Sequence, residues 1–358
     1  MKNKHIVILT LVLIVIAGIF FSFRIQSMAV FNQKVSVEWV SPYKDIDWES
    51  AILAKAQFHS HTTESDGELS STELIELYIQ AGFDILAITD HWKSTWPWED
   101  YVVDDIKHEI LAIQGAEPSH RGKSEHHMVS LFSNISGYEM QFEETLTAIE
   151  SLKGLATFAH PARSTERNNN ELDDYIYYFD KFSHIYGIDI FTRATFREPE
   201  RWEIGKKLIS DLLMHYGSPR SSGWRPIWLT STDDLHSIDH LNQGFQLQVI
   251  DELNQENVYR SLKNGCFFWV ANGEGENNPI IESISFDDIS VQVKGNGFDH
   301  IKWYFNNEVV HSGEILNAIN DIDEDVFYVY FTAYTDDFSV EGKTGSLIGS
   351  QPFWIIRE

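Results

Sequence analysis

Residues 52–67 read ILAKAQFHSHTTESDG. The stretch 54–58 is short and largely apolar, as a buried strand would be, and it delivers His59 and His61 at its end. A spacing of two in extended chain puts both imidazoles on one face, which suits a single metal ion. Asp66 follows within a turn that Gly67 can close. Beyond it, Ser70 and Glu73 stand at capping-box spacing, so a helix is predicted over 72–81, with Gly82 as its terminator. The next apolar run, 85–89, ends in Thr89-Asp90-His91.

The same rhythm continues. Short apolar runs at 54–58, 85–89, 111–115, 128–132, 155–159, 185–191 and 227–231 alternate with helical patterns. One of these covers 142–153, with Phe142, Leu146 and Ile149 on one face and Gly154 at its end. Alternation of this kind predicts an α/β fold with parallel strands, and seven strands suit a barrel spanning 30–270. From about Pro279 the texture changes to ISVQV, HIKWYF, VFYVYFTAY and PFWII, separated by Gly, Asn and Asp clusters. A small antiparallel β domain is therefore expected over 280–358, joined by the linker ANGEGENNP at 271–279.

With 358 residues, 43% of them hydrophobic and 13% aromatic, the chain can bury a large core. Its 27 basic and 54 acidic residues give a net charge of −27, which opposes a nucleic-acid partner in the absence of a local basic patch. Cys266 is the single cysteine, so an internal disulfide and a thiolate metal cluster are both excluded. Set in Gly-Cys-Phe-Phe-Trp, it is expected to be buried and inert. Any metal must be held by His, Asp and Glu.

The N-terminus reads Met-Lys-Asn-Lys followed by an apolar stretch from His5 to Phe23. That length can cross a bilayer, and Lys2 and Lys4 before it place the N-terminus inside and the remainder outside the cytoplasm. Residues 1–29 are thus expected to form a membrane anchor; the alternative is a cleaved signal peptide and secretion.

Groups of metal-ligand type recur where apolar runs end. Glu117 lies just past 111–115, His126-His127 precedes MVSLF, His160-Pro161 ends LATFA, and Asp234-Leu235-His236 follows IWLTS. In barrel enzymes the functional face is at the C-terminal ends of the strands, and most of these groups fall there. Imidazoles mixed with carboxylates suit Zn, Mn or Fe rather than Ca or Mg alone.

HSHTTESDG, AITDHW, GAE, HHMVSLF, FAHPAR and DDLHS occur in the order found in the PHP (polymerase and histidinol phosphatase) family, which the chain resembles over about residues 54–270. The C-terminal region is similar in texture to the appendage of exported members, especially in QPFWII. The resemblance implies a distorted seven-stranded, TIM-like α/β barrel with two or three divalent metal ions. By similarity, His59, His61, Glu117 and Asp234 would hold the first metal. Glu117 would bridge to a second held by His127 and His160, with His126 as the alternative to His127. Asp66, His91 and His236 would hold a third. A metal-bridging hydroxide would then attack a phosphate ester in line. Arg163 is the first candidate for stabilising the transition state, and Arg193 and Arg197 are further substrate-binding candidates, with Lys93, His120 and Arg121 behind them. Asp90 is expected to orient a ligand histidine. Trp92, Trp96 and Trp98 could line a substrate mouth or belong to the core.

These features imply a metal-dependent phosphoesterase acting on a small phosphate monoester or diester, with no nucleic-acid partner and no required protein partner. Two other readings remain. One is hydrolysis of a carboxylic or carbamic ester on the same centre, and the other is a non-catalytic binding or scaffold protein.

Overall fold

In the computed structural model, residues 36–102, 109–118, 126–136, 140–168, 170–273 and 278–357 are described. The expected anchor at 1–29, and His120 and Arg121, lie outside them. Among the described residues no helix is long and apolar enough to cross a membrane.

The chain alternates strands and helices as its patterning dictates. Strand β1 (Ile52–Gln57) is followed by helix α1 (Ser71–Gln80). At the start of α1 the Ser70 hydroxyl accepts from the Glu73 N–H while the Glu73 carboxylate accepts from the Ser70 N–H, which satisfies two otherwise orphaned donors. The helix buries Leu74, Ile75 and Tyr78 and stops before Gly82, whose φ of 73° suits only a residue without Cβ strain. The order continues through β2 (Ile85–Ile88), β3 (Leu111–Ala116), β4 (His127–Leu131), α2 (Phe142–Ser151), β5 (Leu155–Ala159), α3 (Pro161–Asn168) and α4 (Leu172–Lys181). Then come β6 (Ile185–Thr192), α5 (Ala194–Arg197), α6 (Glu200–Tyr216), β7 (Trp228–Thr232), β8 (Gly244–Ile250), α7 (Gln255–Asn264) and β9 (Phe267–Asn272).

Strands β1 to β7 lie side by side in chain order. An isolated parallel bridge between Ser60 and Leu235, carried by a 2.9 Å bond from the His61 N–H to the Leu235 carbonyl, joins the extension of β7 back to that of β1. All seven predicted strands are present. Their directions differ from the expectation in one respect, because β4 runs antiparallel to both β3 and β5 whereas the remaining neighbours are parallel. The reason is connection length. Only residues 117–126 separate β3 from β4, and a parallel return needs a crossover of a dozen residues or more. The reversal has a functional consequence, since it brings the beginning of β4 to the end of the ring where the other strands finish. His127 pairs with Ala159, beside His160.

Outside the ring, β8 pairs antiparallel with β1 and β9 antiparallel with β8. The C-terminal part is β-rich. Ile280–Phe286, Ser290–Asn296 and Ile315–Asn317 form a three-stranded antiparallel sheet. Strand Ser346–Gly349 instead continues the main sheet by pairing with β9. The expected linker therefore begins later than position 271, since Ala271 and Asn272 are the last residues of β9. Residues Glu38–Ile356 form one compact unit. Within it, Gln351 pins QPFWII to the ring. Its side-chain oxygen accepts from the Leu229 N–H at 2.7 Å and its amide nitrogen donates to the Leu229 carbonyl at 2.9 Å.

Candidate metal centre

The first two histidines are set by the end of β1. The Gln57 side-chain oxygen accepts from the N–H groups of Phe58 and His59, and Ser60 turns to β2, donating its hydroxyl to the Ala87 carbonyl at 3.0 Å. With Ser60 facing β2, His59 and His61 face the interior, and both are fully buried. The following turn folds back so closely that a Cβ on Gly67 would lie 2.3 Å from the His61 carbonyl oxygen. Only glycine closes this turn without displacing His61. That contact keeps Asp66 next to the histidines.

Three sets of potential ligand atoms result: His59, His61, Glu117 and Asp234; Glu117, His127 and His160; and His61, Asp66, His91 and His236. They coincide with the grouping implied by the family resemblance, with His61 reaching towards two sets. In the first, His59 Nε2 is 3.1 Å from Glu117 Oε2 and 3.5 Å from Asp234 Oδ1, while His61 Nε2 is 3.3 Å from each. Ligands about 2.0–2.1 Å from a tetrahedral ion are about 3.3–3.4 Å apart, so this donor set fits a divalent cation. Glu117 presents its other oxygen to the second set, with Oε1 2.6 Å from His127 Nδ1 and 3.5 Å from His160 Nε2. In the third, Asp66 lies 3.5 Å from both His91 Nε2 and His236 Nε2.

Charge and burial also fit a cation. Burial alone would lower the His59 pKa, but the Glu117 and Asp234 carboxylates outweigh it and raise it to about 9. Burial would raise Glu117 and Asp234, yet the surrounding imidazoles hold both well below the carboxylate range. The bond with His236 is the largest cause that lowers Asp66, to about 2. By contrast, burial lowers His160 to about 4 and also lowers His61. Both His61 nitrogens are buried without a hydrogen-bond partner. A buried polar atom left so costs about 1–3 kcal/mol, a cost that coordination removes.

His126 belongs elsewhere. Its ring packs among Phe142, Phe158, Tyr175 and Tyr178, its Nδ1 is paired with Asn170, and burial lowers its pKa to about 4. His127 is the member of the pair that faces Glu117.

Two ligands sit on unusual backbone. His160 has φ of 34° and Asp234 φ of 48°, a region that non-glycine residues occupy only when held there. The restraints are two buried aspartates that sequence reasoning missed. Asp189 accepts from the His160 N–H at 3.1 Å and the Thr230 hydroxyl at 2.7 Å. Asp233 accepts from the N–H groups of Asn242, Gln243 and Gly244 at 2.7–2.9 Å and from the Tyr78 hydroxyl at 3.0 Å. Burial raises each to about 6. Their sequence signals were an acid inside the apolar run IYGIDIFT and the doublet Asp233-Asp234.

Asp90 differs from the expectation. It bonds to no histidine; instead it accepts from the Thr62 N–H at 2.7 Å, the Thr62 hydroxyl at 2.8 Å, the Ser65 hydroxyl at 2.7 Å and the Thr95 hydroxyl. It therefore clamps the turn between His61 and Asp66. Four hydroxyl or amide donors within reach made that the lower-energy arrangement for a fully buried carboxylate.

Of the basic candidates, Arg163 lies on the first turn of α3, its N–H bonded to the His160 carbonyl at 3.0 Å. Arg193 donates Nε to the Asp234 carbonyl at 3.4 Å, and Arg197 pairs with Glu198 at 3.1 Å. Lys93 is engaged by Glu64. Trp92 stands beside His91 with ring centroids 5.3 Å apart, whereas Trp98 is buried. A fourth acidic group, Glu166, Glu198 and Glu200, surrounds the buried Arg201, which pairs with Glu166 at 2.9 Å and with Glu198, and so already has its cation.

No protein-family model and no curated protein matches the sequence. Solved structures do. The chain is similar to a two-domain protein from Bacteroides vulgatus containing a predicted PHP-like metal-dependent phosphoesterase, at 13% identity and a TM-score of 0.47, over 88% of this chain and 97% of that one. It is also similar to a lesion-specific endonuclease from Pyrococcus furiosus, at 16% identity and a TM-score of 0.38, over 59% of this chain and 56% of that one. An amidohydrolase from Chromobacterium violaceum matches at 14% identity and a TM-score of 0.38, over 51% of this chain and 88% of that one.

Proposed function

We propose that this protein is a PHP-type metal-dependent phosphoesterase that cleaves a small phosphate monoester or diester at a centre of two or three divalent ions. The observation that carries the reading is Glu117. One buried carboxylate offers its two oxygens to two different sets of histidines, a donor arrangement that would suit two cations. Divalent cations held there supply Lewis acidity towards phosphoryl oxygens and acidify water. The protein does the rest. His59, His61 and Asp234 would hold one position and His127 and His160 the next, with the backbone of His160 and Asp234 fixed by Asp189 and Asp233. Asp66, His91 and His236 offer the third. The buried walls around His59, His61 and Glu117 keep bulk water from screening these charges. Arg163, three residues after His160, is the candidate for neutralising charge that grows on the transferred group.

The apolar stretch 5–23 behind Lys2 and Lys4 supports a location for this centre outside the cytoplasm, tethered by residues 1–29. A reporter fused after Glu358 that is active only when exported would test it, and activity only in the cytoplasm would refute it.

For the reaction, the full-length chain in detergent would be loaded with Mn or Zn and offered phosphate monoesters, phosphodiesters, and carboxylic and carbamic esters. Phosphate release that His59→Ala abolishes supports the proposal. Cleavage of carboxylic or carbamic esters alone moves the protein to that class, and inertness towards every ester with metal bound leaves a binding role.

A further inference from the structure

A cavity of about 520 Å³ is walled by Arg193, Arg197, His240, Asn242 and Lys343, with Asp239 as its one acidic member. Hydrogen bonds tie its wall to the centre. Arg193 Nε donates to the Asp234 carbonyl at 3.4 Å, His240 Nδ1 accepts from the His236 N–H at 3.0 Å, and the Asn242 N–H donates to Asp233 at 2.9 Å. The cavity wall is thereby bonded directly to Asp234 and His236, two of the residues that would hold metal.

The cavity's charge is opposite to that of the chain. Arg193, Arg197 and Lys343 outnumber Asp239 in its lining, in a protein of net charge −27, with Arg197 also paired to Glu198. A cationic lining of this kind attracts an anion. Guanidinium forks and an amide suit the planar or tetrahedral oxygens of a carboxylate or phosphate.

Lys343 does not come from the ring. It lies in the turn closed by the Ser339–Thr344 bridge, in the β-rich C-terminal part. That turn is seated tightly at the end of β9. The Gly273 N–H donates to the Gly345 carbonyl at 2.8 Å, and a Cβ on Gly273 would come within 2.6 Å of the Lys343 carbonyl group. The C-terminal part thereby supplies a cation to the rim of the ring.

We propose that this cavity binds a second anionic group of the substrate, a phosphate or carboxylate carried on the alcohol side of the scissile ester. Lys343 is then a specificity residue contributed by the C-terminal part. The proposal rests on the phosphoesterase reading, and the test separates the two. The metal-loaded full-length chain and its Lys343→Met variant would be compared on phenyl phosphate, 4-carboxyphenyl phosphate and 1,4-phenylene bisphosphate. Methionine keeps the length of the side chain and adds no new backbone cost at a φ of 54°. The wild-type chain is expected to prefer a doubly charged ester over phenyl phosphate by roughly tenfold in kcat/KM, and Lys343→Met to bring that ratio close to unity. The two doubly charged esters tell carboxylate from phosphate. No preference in the wild type, or a ratio equal in both proteins, overturns the proposal. If the wild type releases phosphate from none of the three, the phosphoesterase reading fails instead. The cavity is then judged by calorimetric titration with 1,4-phenylene bisphosphate, where binding weakened by Lys343→Met upholds the anion site and equal binding refutes it.

Discussion

Replacing Asp90 separates two accounts of how the loop between His61 and Asp66 is held. The carboxylate is fully buried and accepts four hydrogen bonds, two on each oxygen. Asp90→Ala removes all four acceptors. Three of the donors are hydroxyls that can rotate, but the Thr62 N–H is fixed and would be stranded in the interior. Stranding it costs about 1–3 kcal/mol, and with the lost charge-assisted bonds the total is about 4 kcal/mol. At about 2–4 °C per kcal/mol, the unfolding midpoint should fall by roughly 10 °C. Asp90→Asn should be milder. Its amide oxygen can keep the Thr62 N–H and the Ser65 hydroxyl, while its NH2 group meets the hydroxyls of Thr62 and Thr95, which can turn to accept. The loss is then mainly of charge, about 1–2 kcal/mol. Thermal unfolding followed by circular dichroism would measure both, with bound metal counted after equilibrium dialysis. Metal held through Asp66 should weaken by about tenfold to a hundredfold in Asp90→Ala, because these partners position the ligands. An Asp90→Ala protein with wild-type midpoint and metal content would refute this account. So would Asp90→Asn proving as damaging as Asp90→Ala.

Three further outcomes follow from the same structure. His59→Ala and Asp234→Ala should each lower metal-dependent hydrolysis by at least about a hundredfold while leaving the circular dichroism spectrum unchanged; full activity in both metal-loaded variants would remove the site assignment. Gly349→Ala should destabilise the chain by about 3 kcal/mol, since the added Cβ would sit 2.0 Å from the fully buried Trp269 indole. Trp269→Phe in the same chain should recover part of that loss in a double-mutant cycle by denaturant unfolding, and strictly additive effects would contradict the contact. Burial pushes the Cys266 thiol up to about 11. Thiolate forms only as pH rises through that value, so alkylation of the folded protein at pH 8 should be about a hundredfold slower than for an ordinary thiol and should rise about tenfold per pH unit. A rate that levels off near pH 9 would refute it.

Much of the centre was legible because metal ligands must be particular residue types and because strands end abruptly. His59, His61, Asp66, His91, Glu117, His160, Asp234 and His236 could all be placed at the ends of apolar runs by reading along the chain. His127 could be selected from the sequence only through the family pattern. Its geometric reason lies in the reversed β4, which turns a strand's first residue into a member of the same rim. That reversal is a matter of which strand lies beside which, and no local pattern records it.

By itself, the sequence determined what depends on periodicity and residue chemistry: seven short strands, the capped helix expected over 72–81, a β-rich C-terminal part, and a ligand set free of thiolate. Tertiary structure decided what depends on distant chain segments meeting. It turned Asp90 to Thr62, Ser65 and Thr95, recruited Asp189 and Asp233 to hold His160 and Asp234, and carried β9 into Ser346–Gly349. A buried carboxylate bonds to whichever donors the fold brings within about 3 Å, and those donors lie up to 155 residues away in sequence, as Tyr78 does from Asp233.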